Sequence, residues 1–498
     1  MVKKSKDGSD QNSRQGDRMK TVFLFLRQGI SNRNLLRTDF LKTLKENPGV
    51  RIVILSPIGD EPEFQKEFEA PNVCVEKWPR TKVAFWEKRL KNLKDYIWVS
   101  RGLTQAIRVS RLAQLGSLGL AWRDFIGRLA RKIGISEKHI NNWELRIYRA
   151  NRLVNNLYDK YQPQLVIFTR LFGTNVHVFK EAKKRGIRLL CLVESWDNLI
   201  CKGPLSVVPE RMAVWNKGMI AEAHQYHDFP WDQVDVVGVP QFDLYMDVTK
   251  FIERGEFFET HGLDPERKLV TYATSTEGMI PDELAVLELV YEAIQEDRLG
   301  IAAQLLVRLH PITSPVLQEE YFRRFAGRPN LVIQRPGRPA RLHDGWDPSW
   351  SDMLMLASTI YHSEVVVNIA STITIDAAVL DKPVICVAFG AGGEKSLQDR
   401  FRRIFEHSHY RKLVDTKGLQ LVYNREELGE TIRRSIMNPM SDGSGRKRLR
   451  EELCYRLDGQ SARRAAWVVL QELGLNPLTK KEAASVDEHE TQSAEDIS

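Results

Sequence analysis

Short β-branched runs alternating with amphipathic stretches, in two blocks divided near residues 243–259, predict an α/β protein of two Rossmann-like domains facing a cleft. Three observations carry this. The first block opens as strand, helix, strand (19–26, 33–46, 51–55), and a β-α-β start implies a parallel sheet with right-handed crossovers. The alternation restarts at 268–274 after the turn-like Gly262-Leu263-Asp264-Pro265. The 498 residues also exceed what one ordinary core holds.

The expected division is a disordered leader (1–18), a first domain (19–260) with a basic helical insertion at 78–135, a second domain (261–476) and a disordered acidic tail (477–498). In the first domain a strand at 73–75 precedes the insertion, and a long helix is expected over 137–161. Strands at 165–169, 188–194, 211–215 and 234–239 then alternate with helices at 175–185 and 217–226. The second domain continues with a helix at 283–296 and strands at 304–309 and 331–334. Residues 352–389 follow as helix, strand (364–369), polar turn, helix and strand (383–389). A strand at 419–423 and helices at 425–437 and 461–473 close the domain.

Composition narrows the class. Apolar content of 42% and charged content of 28% fit a soluble globular protein, and no apolar run approaches the roughly 20 residues that span a bilayer. The charged N-terminus has no apolar signal core, and the five cysteines form no CxxC pair. A reducing, cytoplasmic setting is expected, with no disulfide frame, metal site or cofactor. HExxH, GxSxG and EF-hand patterns are absent.

Charge is uneven. Between Arg80 and Ile135, 13 Lys/Arg face only Glu87, Asp95 and Asp124, so this segment exceeds the whole-chain balance of +8. Trp78, Phe85, Trp86, Tyr96, Trp98, Trp122 and Phe125 are interleaved with them. Such a mixture over 80–132 suits an anionic membrane surface, which would place the protein on the inner face of the cytoplasmic membrane. It also suits a nucleic acid, or a solvated insertion whose aromatics pack inward; of the two ligands the membrane is the one expected.

Candidate chemistry clusters at strand ends. Ser371, Thr372 and Thr374 open a helix after a buried strand, where hydroxyls and free N–H groups suit a diphosphate, with Asp376 placed to accept from a ribose. Ordinary helix capping is the alternative, although the capping box fails because Thr374 and Ile375 stand where an acid or glutamine is needed. Arg308 and His310 end a strand of the same domain and face the same crevice; the imidazole suits phosphate binding or leaving-group assistance, or is structural. Gly392 and Gly393 permit close backbone approach or form a plain loop, since Phe389 and Glu394 break the GxxxxGK[ST] phosphate-loop pattern. In the first domain Glu194 or Asp197 is placed to act as general base toward an acceptor hydroxyl, with Gly29, Trp196, Asn198 and Lys202 on the acceptor side. The alternative there is a capped turn with Trp196 in the core.

These residues resemble patches of the fold B (GT-B) glycosyltransferase superfamily, most closely the CDP-glycerol glycerophosphotransferases and capsular polysaccharide transferases; UDP-N-acetylglucosamine 2-epimerases share the architecture. The patches are Trp196-Asp197-Asn198 with Lys202-Gly203, the run from Val237 to Asp243, Arg308 to Pro311, Ser371 to Ala377 with Lys382-Pro383-Val384, and Asp458-Gly459-Gln460-Ser461. The resemblance implies a donor nucleotide in the second domain, with His310 near its phosphates, Ser371 and Thr372 on them, and Asp376 near the ribose. An acceptor would enter from the first domain. Two departures matter. Trp196-Asp197-Asn198 stands where glycerophosphotransferases carry a catalytic His-Gly, and Ser371-Thr372-Ile373 replaces the glycine-rich turn and following glutamates of the epimerases. The expected activity is glycosyl transfer from a nucleotide-activated donor to a surface-polysaccharide or lipid-linked glycan. Glycerophosphate transfer from CDP-glycerol, epimerisation, and a non-catalytic membrane or nucleic-acid binder are the alternatives.

Overall fold

A computed structural model of the chain describes residues 19–475 apart from 79–80, 82, 103–104, 171, 174–175, 278–279, 281, 343–344, 393–394 and 407. The expected disordered leader and acidic tail lie outside the described residues.

Seven strands form the first sheet: β1 (Lys20–Phe25), β2 (Val50–Ser56), β3 (Val73–Lys77), β4 (Leu165–Phe168), β5 (Arg188–Leu192), β6 (Arg211–Val214) and β7 (Val234–Val236). Their spatial order is β3-β2-β1-β4-β5-β6-β7, and every pairing is parallel. After β8 (Lys268–Ala273), β9 (Ala303–Arg308) and β10 (Leu331–Gln334) comes a short antiparallel hairpin, β11 (Arg338–Pro339) with β12 (Trp346–Asp347). Then β13 (Val365–Asn368), β14 (Val384–Val387) and β15 (Gln420–Val422) complete a six-stranded parallel sheet of order β10-β9-β8-β13-β14-β15. Strand order reverses between β1 and β4 in one sheet and between β8 and β13 in the other. In open parallel sheets those switch points open a crevice beyond the strands' carboxyl ends.

The strands are buried on both faces, as their continuous apolar runs require. Alternation sorts their side chains: Phe23, Phe25, Val53 and Leu55 join one core cluster, and Val22, Leu24, Ile52 and Ile54 the other. The first of these clusters also holds Val366, Ile375 and Cys386 of the second domain, so one apolar core bridges the two.

Three expectations are corrected. The helix Ser461–Glu472, expected to close the second domain, packs on the first: Ala462, Ala465, Ala466 and Val469 lie against the cluster of Val22, Leu24 and Phe40. Its first amides donate to the Asp243 carboxylate (Ser461 N at 3.0 Å, Ala462 N at 2.7 Å), and Glu472 pairs with Arg188 at 2.7 Å. The long helix over 137–161 is two, Glu137–Ile147 and Arg152–Tyr161, because Asn151 leaves helical geometry and caps the second through Leu153 N (2.8 Å). Ile140 of the first half packs with Ile97 and Ala130, so the insertion runs past residue 135. The helix over 33–46 starts earlier and breaks: Gly29–Ser31 continues as a π-turn over Asn32–Leu36, and Thr38 caps Asp39–Glu46.

Candidate functional site

Both switch points open onto one cavity of about 410 Å³ between the domains. From the first domain it is lined by Gln28 and Arg33 after β1, Arg170 after β4, and Glu194, Asp197, Asn198 and Lys202 after β5. The second domain contributes Thr274–Thr276 after β8, Arg308 and His310 at the end of β9, and Ala370–Ile373 after β13. Strand-end positions on two facing sheets are thus brought to one space, which the sheet order dictates.

On the first-domain wall, Glu194 Oε1 accepts from the Ser31 hydroxyl, which itself lies 2.9 Å from Thr169 Oγ1. Three loops therefore fix this carboxylate. Asp197 accepts from Cys201 Sγ at 2.7 Å, with Lys202 Nζ 3.7 Å away. Burial works against its charge, but Lys202 and the hydrogen bonds from Cys201 and Ser195 outweigh it and hold the carboxyl below its usual range. A carboxylate so stabilised is a weak base.

On the second-domain wall, Arg308 is held by Gln334 and by Asp352 Oδ1 (3.4 Å). The His310 backbone N–H donates to Thr274 Oγ1 (2.7 Å), and its Nδ1 accepts from the Ile312 N–H (3.2 Å). An acceptor Nδ1 puts the proton of the neutral ring on Nε2, 3.4 Å from Thr276 Oγ1. Burial lowers the imidazole pKa to about 4, so at neutral pH His310 is an uncharged N–H donor at the cavity wall. Leaving-group stabilisation fits that state; proton abstraction does not.

After β13 the chain passes through Ala370 in the left-handed region (φ +50°), a conformation costly for a non-glycine residue. Asn368 Oδ1 accepts from Ser371 N (2.9 Å), and among the described residues the amides of Thr372 and Ile373 have no acceptor in the protein. Ser371 and Thr372 line the cavity; Thr374 does not. Its hydroxyl is fully buried, 3.1 Å from Asn368 Nδ2 and 2.9 Å from Tyr410 OH, which corrects its expected donor-binding place. Asp376 lines the cavity, but its Oδ1 already accepts from Tyr245 OH (2.7 Å) and Gln241 Nε2 (3.2 Å). Gln241 in turn accepts from Arg33. This chain joins the two domains along one side of the cleft.

Three further expectations change. Trp196 is 2% exposed and packs against His409 and Tyr410 (ring centroids 5.8 and 6.3 Å), so it is core and not an acceptor contact. Gly29 lies outside the cavity lining; a Cβ there would sit 2.3 Å from the Trp346 carbonyl oxygen, so glycine allows the β11–β12 hairpin to close on the first domain. Gly392 accepts from Gln398 Nε2 (2.8 Å) away from the lining, and Gly393 lies outside the described residues. Arg33, Arg170, Thr276 and Asp352 carry no signal of their own in the sequence, and Gln241 only as part of the run from Val237 to Asp243. Their signal was placement after β1, β4, β7, β8 and the hairpin, which becomes legible only once strand order is known.

No family profile and no curated protein matches the chain. Solved structures match its fold. S. aureus MnaA, solved with UDP, aligns at TM-score 0.54 with 10% identity over 92% of this chain and 98% of that one. The UDP-GlcNAc 2-epimerase of Neisseria meningitidis, solved with UDP-GlcNAc, aligns at TM-score 0.52 with 11% identity over 91% and 100%. With two parallel α/β domains, a cleft between their strand ends and this likeness, the chain has a two-domain fold of the GT-B type.

Proposed function

We propose that the protein is an enzyme acting on a nucleotide-activated sugar, and that it transfers the glycosyl group to a hydroxyl acceptor. The observation that carries this is the interdomain cavity whose one wall offers N–H and O–H donors and a buried guanidinium, while the other offers a fixed carboxylate. In this reading the diphosphate lies against His310 Nε2, Ser371 and Thr372, with Arg308 behind. Donors aimed at a departing oxyanion in a partly enclosed site act where charge develops. Glu194 takes the acceptor proton as the new C–O bond forms and the bond to the diphosphate breaks. Supporting it, the cavity is of the size that encloses small ligands, and proteins of this fold have been solved with UDP and UDP-GlcNAc. The acceptor class remains that expected from the resemblance, a surface glycan or a lipid-linked one.

The test is a panel of nucleotide sugars, with CDP-glycerol included, read first by thermal shift and then by release of nucleoside diphosphate with added glycan acceptors. A stabilising nucleotide sugar whose diphosphate is released only with acceptor supports transfer. Absence of any stabilising nucleotide defeats the reading.

The fold likeness to a UDP-GlcNAc 2-epimerase supports a second reading, epimerisation without an acceptor. Incubation with UDP-GlcNAc alone separates the two, because only an epimerase yields the epimer with no second substrate.

A further inference from the structure

The basic insertion is fixed to the first domain. Trp98 Nε1 donates to Tyr226 O (2.9 Å), Lys94 Nζ donates to Ser206 O (3.2 Å), and Arg101 pairs with Asp228 (2.9 Å). Its second helical span, Gln105–Lys132, is broken at Gly116 (φ +69°), and the part after the break packs closely on Phe85–Ser100. Gly127 makes that approach possible, since a Cβ there would meet the Tyr96 carbonyl oxygen at 2.1 Å. Gly127 and Ala130 thus define the buried face.

The outer face carries Leu118 (86% exposed), Trp122 (63%), Phe125 (57%), Leu129 (49%) and Ile133 (67%). Spacings of four, three and four residues put the first four in one stripe along the helix, and Ile133, whose N–H donates to Leu129 O (3.1 Å), continues it just past the helix end. The Trp122 and Phe125 rings stack at 5.9 Å on this outer face and do not turn inward. Beside the stripe stand the exposed cations Lys132 and Arg128, the latter paired one turn back with Asp124 (2.7 Å). Water-facing large apolar groups along about 24 Å of helix, flanked by positive charge, have the layout of a helix lying in the plane of a lipid interface. Nucleic acid would complement the cations but not five aliphatic and aromatic side chains in a row. Charge complementarity selects an anionic surface: 13 Lys/Arg oppose three acids between Arg80 and Ile135. Although Lys94, Arg101, Arg111 and Arg128 are paired with acids, Lys88, Arg89, Arg108, Arg131 and Lys132 stand exposed.

We propose that this stripe docks the protein on an anionic bilayer surface, with the ring and aliphatic groups in the headgroup–acyl boundary and the cations on the lipid phosphates. The docking is independent of which reaction the cleft performs, so vesicle binding can fail while the enzymatic reading stands, and the converse.

The test is co-sedimentation of the full chain with phosphatidylcholine vesicles and with vesicles that also contain phosphatidylglycerol, over a salt series. Three variants accompany it: Trp122→Ser/Phe125→Ser, Arg128→Gln/Lys132→Gln, and Val316→Ser as a control at another exposed apolar residue (82% exposed). All sites are exposed, and thermal unfolding checks that each variant is folded. The expected result is binding to the anionic vesicles only, weakening with salt. The charge variant weakens it about 20- to 30-fold at low salt, taking roughly fivefold for each cation. The aromatic variant weakens it more than about tenfold, and the control leaves it unchanged. Equal binding to both vesicle types, no binding to either, or full binding by the aromatic variant overturns the proposal. So does a stripe that proves to be a contact between copies, seen as a dimer that the aromatic variant converts to monomer while vesicle binding persists.

Discussion

Replacing His310 tests the chemistry assigned to the cleft most sharply. Its Nδ1 accepts from Ile312 N–H, its pKa is lowered to about 4 by burial, and its Nε2–H is the group that the proposed function assigns to the leaving diphosphate. Removing one preorganised donor of this kind costs about 100- to 1000-fold in turnover. His310→Ala is therefore expected to lose that much kcat, with substrate binding changed far less. His310→Gln keeps an N–H donor and is expected to recover about a tenth or more of the lost rate. Stability supplies an independent readout. The native state binds fewer protons at His310 than the unfolded chain between about 4 and 6.5, so wild-type stability falls as pH drops through that window. The loss amounts to at most about 3 kcal/mol, and His310→Gln removes this dependence. The assay is release of nucleoside diphosphate across pH 5 to 9, paired with denaturant unfolding at each pH. An activity limb titrating near 6.5 that disappears in His310→Gln would refute the neutral-donor role and make His310 a titrating acid or base.

Other perturbations have equally definite outcomes. Gly29→Ala forces a Cβ to within 2.3 Å of a backbone oxygen of the β11–β12 hairpin; a loss of about 1–3 kcal/mol in thermal unfolding and a raised KM are expected, and an unchanged KM would contradict the interdomain packing. Tyr245→Phe leaves the buried Asp376 carboxylate with one donor fewer, at a cost of about 1–3 kcal/mol. Burial raises the Asp376 pKa, so this cost is expected to shrink in acid as the group protonates, which urea unfolding at two pH values measures. Burial also opposes the charge of Glu87, but bonds from His177, Ala84 N–H and Lys180 prevail and lower its pKa to about 2. Its contribution is complete above the unfolded value of 4.5 and is lost as pH falls toward 2. Glu87→Gln is expected to cost about 2 kcal/mol near neutrality and to converge with wild type in strong acid, measured by denaturant unfolding.

The sheets were legible because a strand buried on both faces needs an unbroken apolar run, and VFLF, VVV and VICV supply one each. The strand Leu331–Gln334 and the helix Arg425–Met437 fall on their expected bounds. The last helix was assigned to the wrong domain for a physical reason: a stripe of alanines and valines states that one face is buried, not against which sheet. At the site, strand-end residues were found where the residue type itself carried chemistry, as with Glu194, His310 and Ser371. Rotational phase was not readable. Thr374 looked equivalent to Ser371 and Thr372, yet the helix turns it toward Asn368 and Tyr410. Trp196 lies between Ser195 and Asp197, which line the cavity, and points into the core. Arg33 and Arg170 are ordinary polar residues in sequence, and only the order of strands makes them neighbours.

The most direct measurement is a crystal structure of the protein with a nucleoside diphosphate or its sugar. The expected result places the diphosphate in the interdomain cavity, within hydrogen-bond distance of His310 Nε2 and of the Ser371 and Thr372 hydroxyls, with Glu194 facing the sugar. A nucleotide bound outside the cleft, or bound within it with His310 unengaged, would contradict the proposed function.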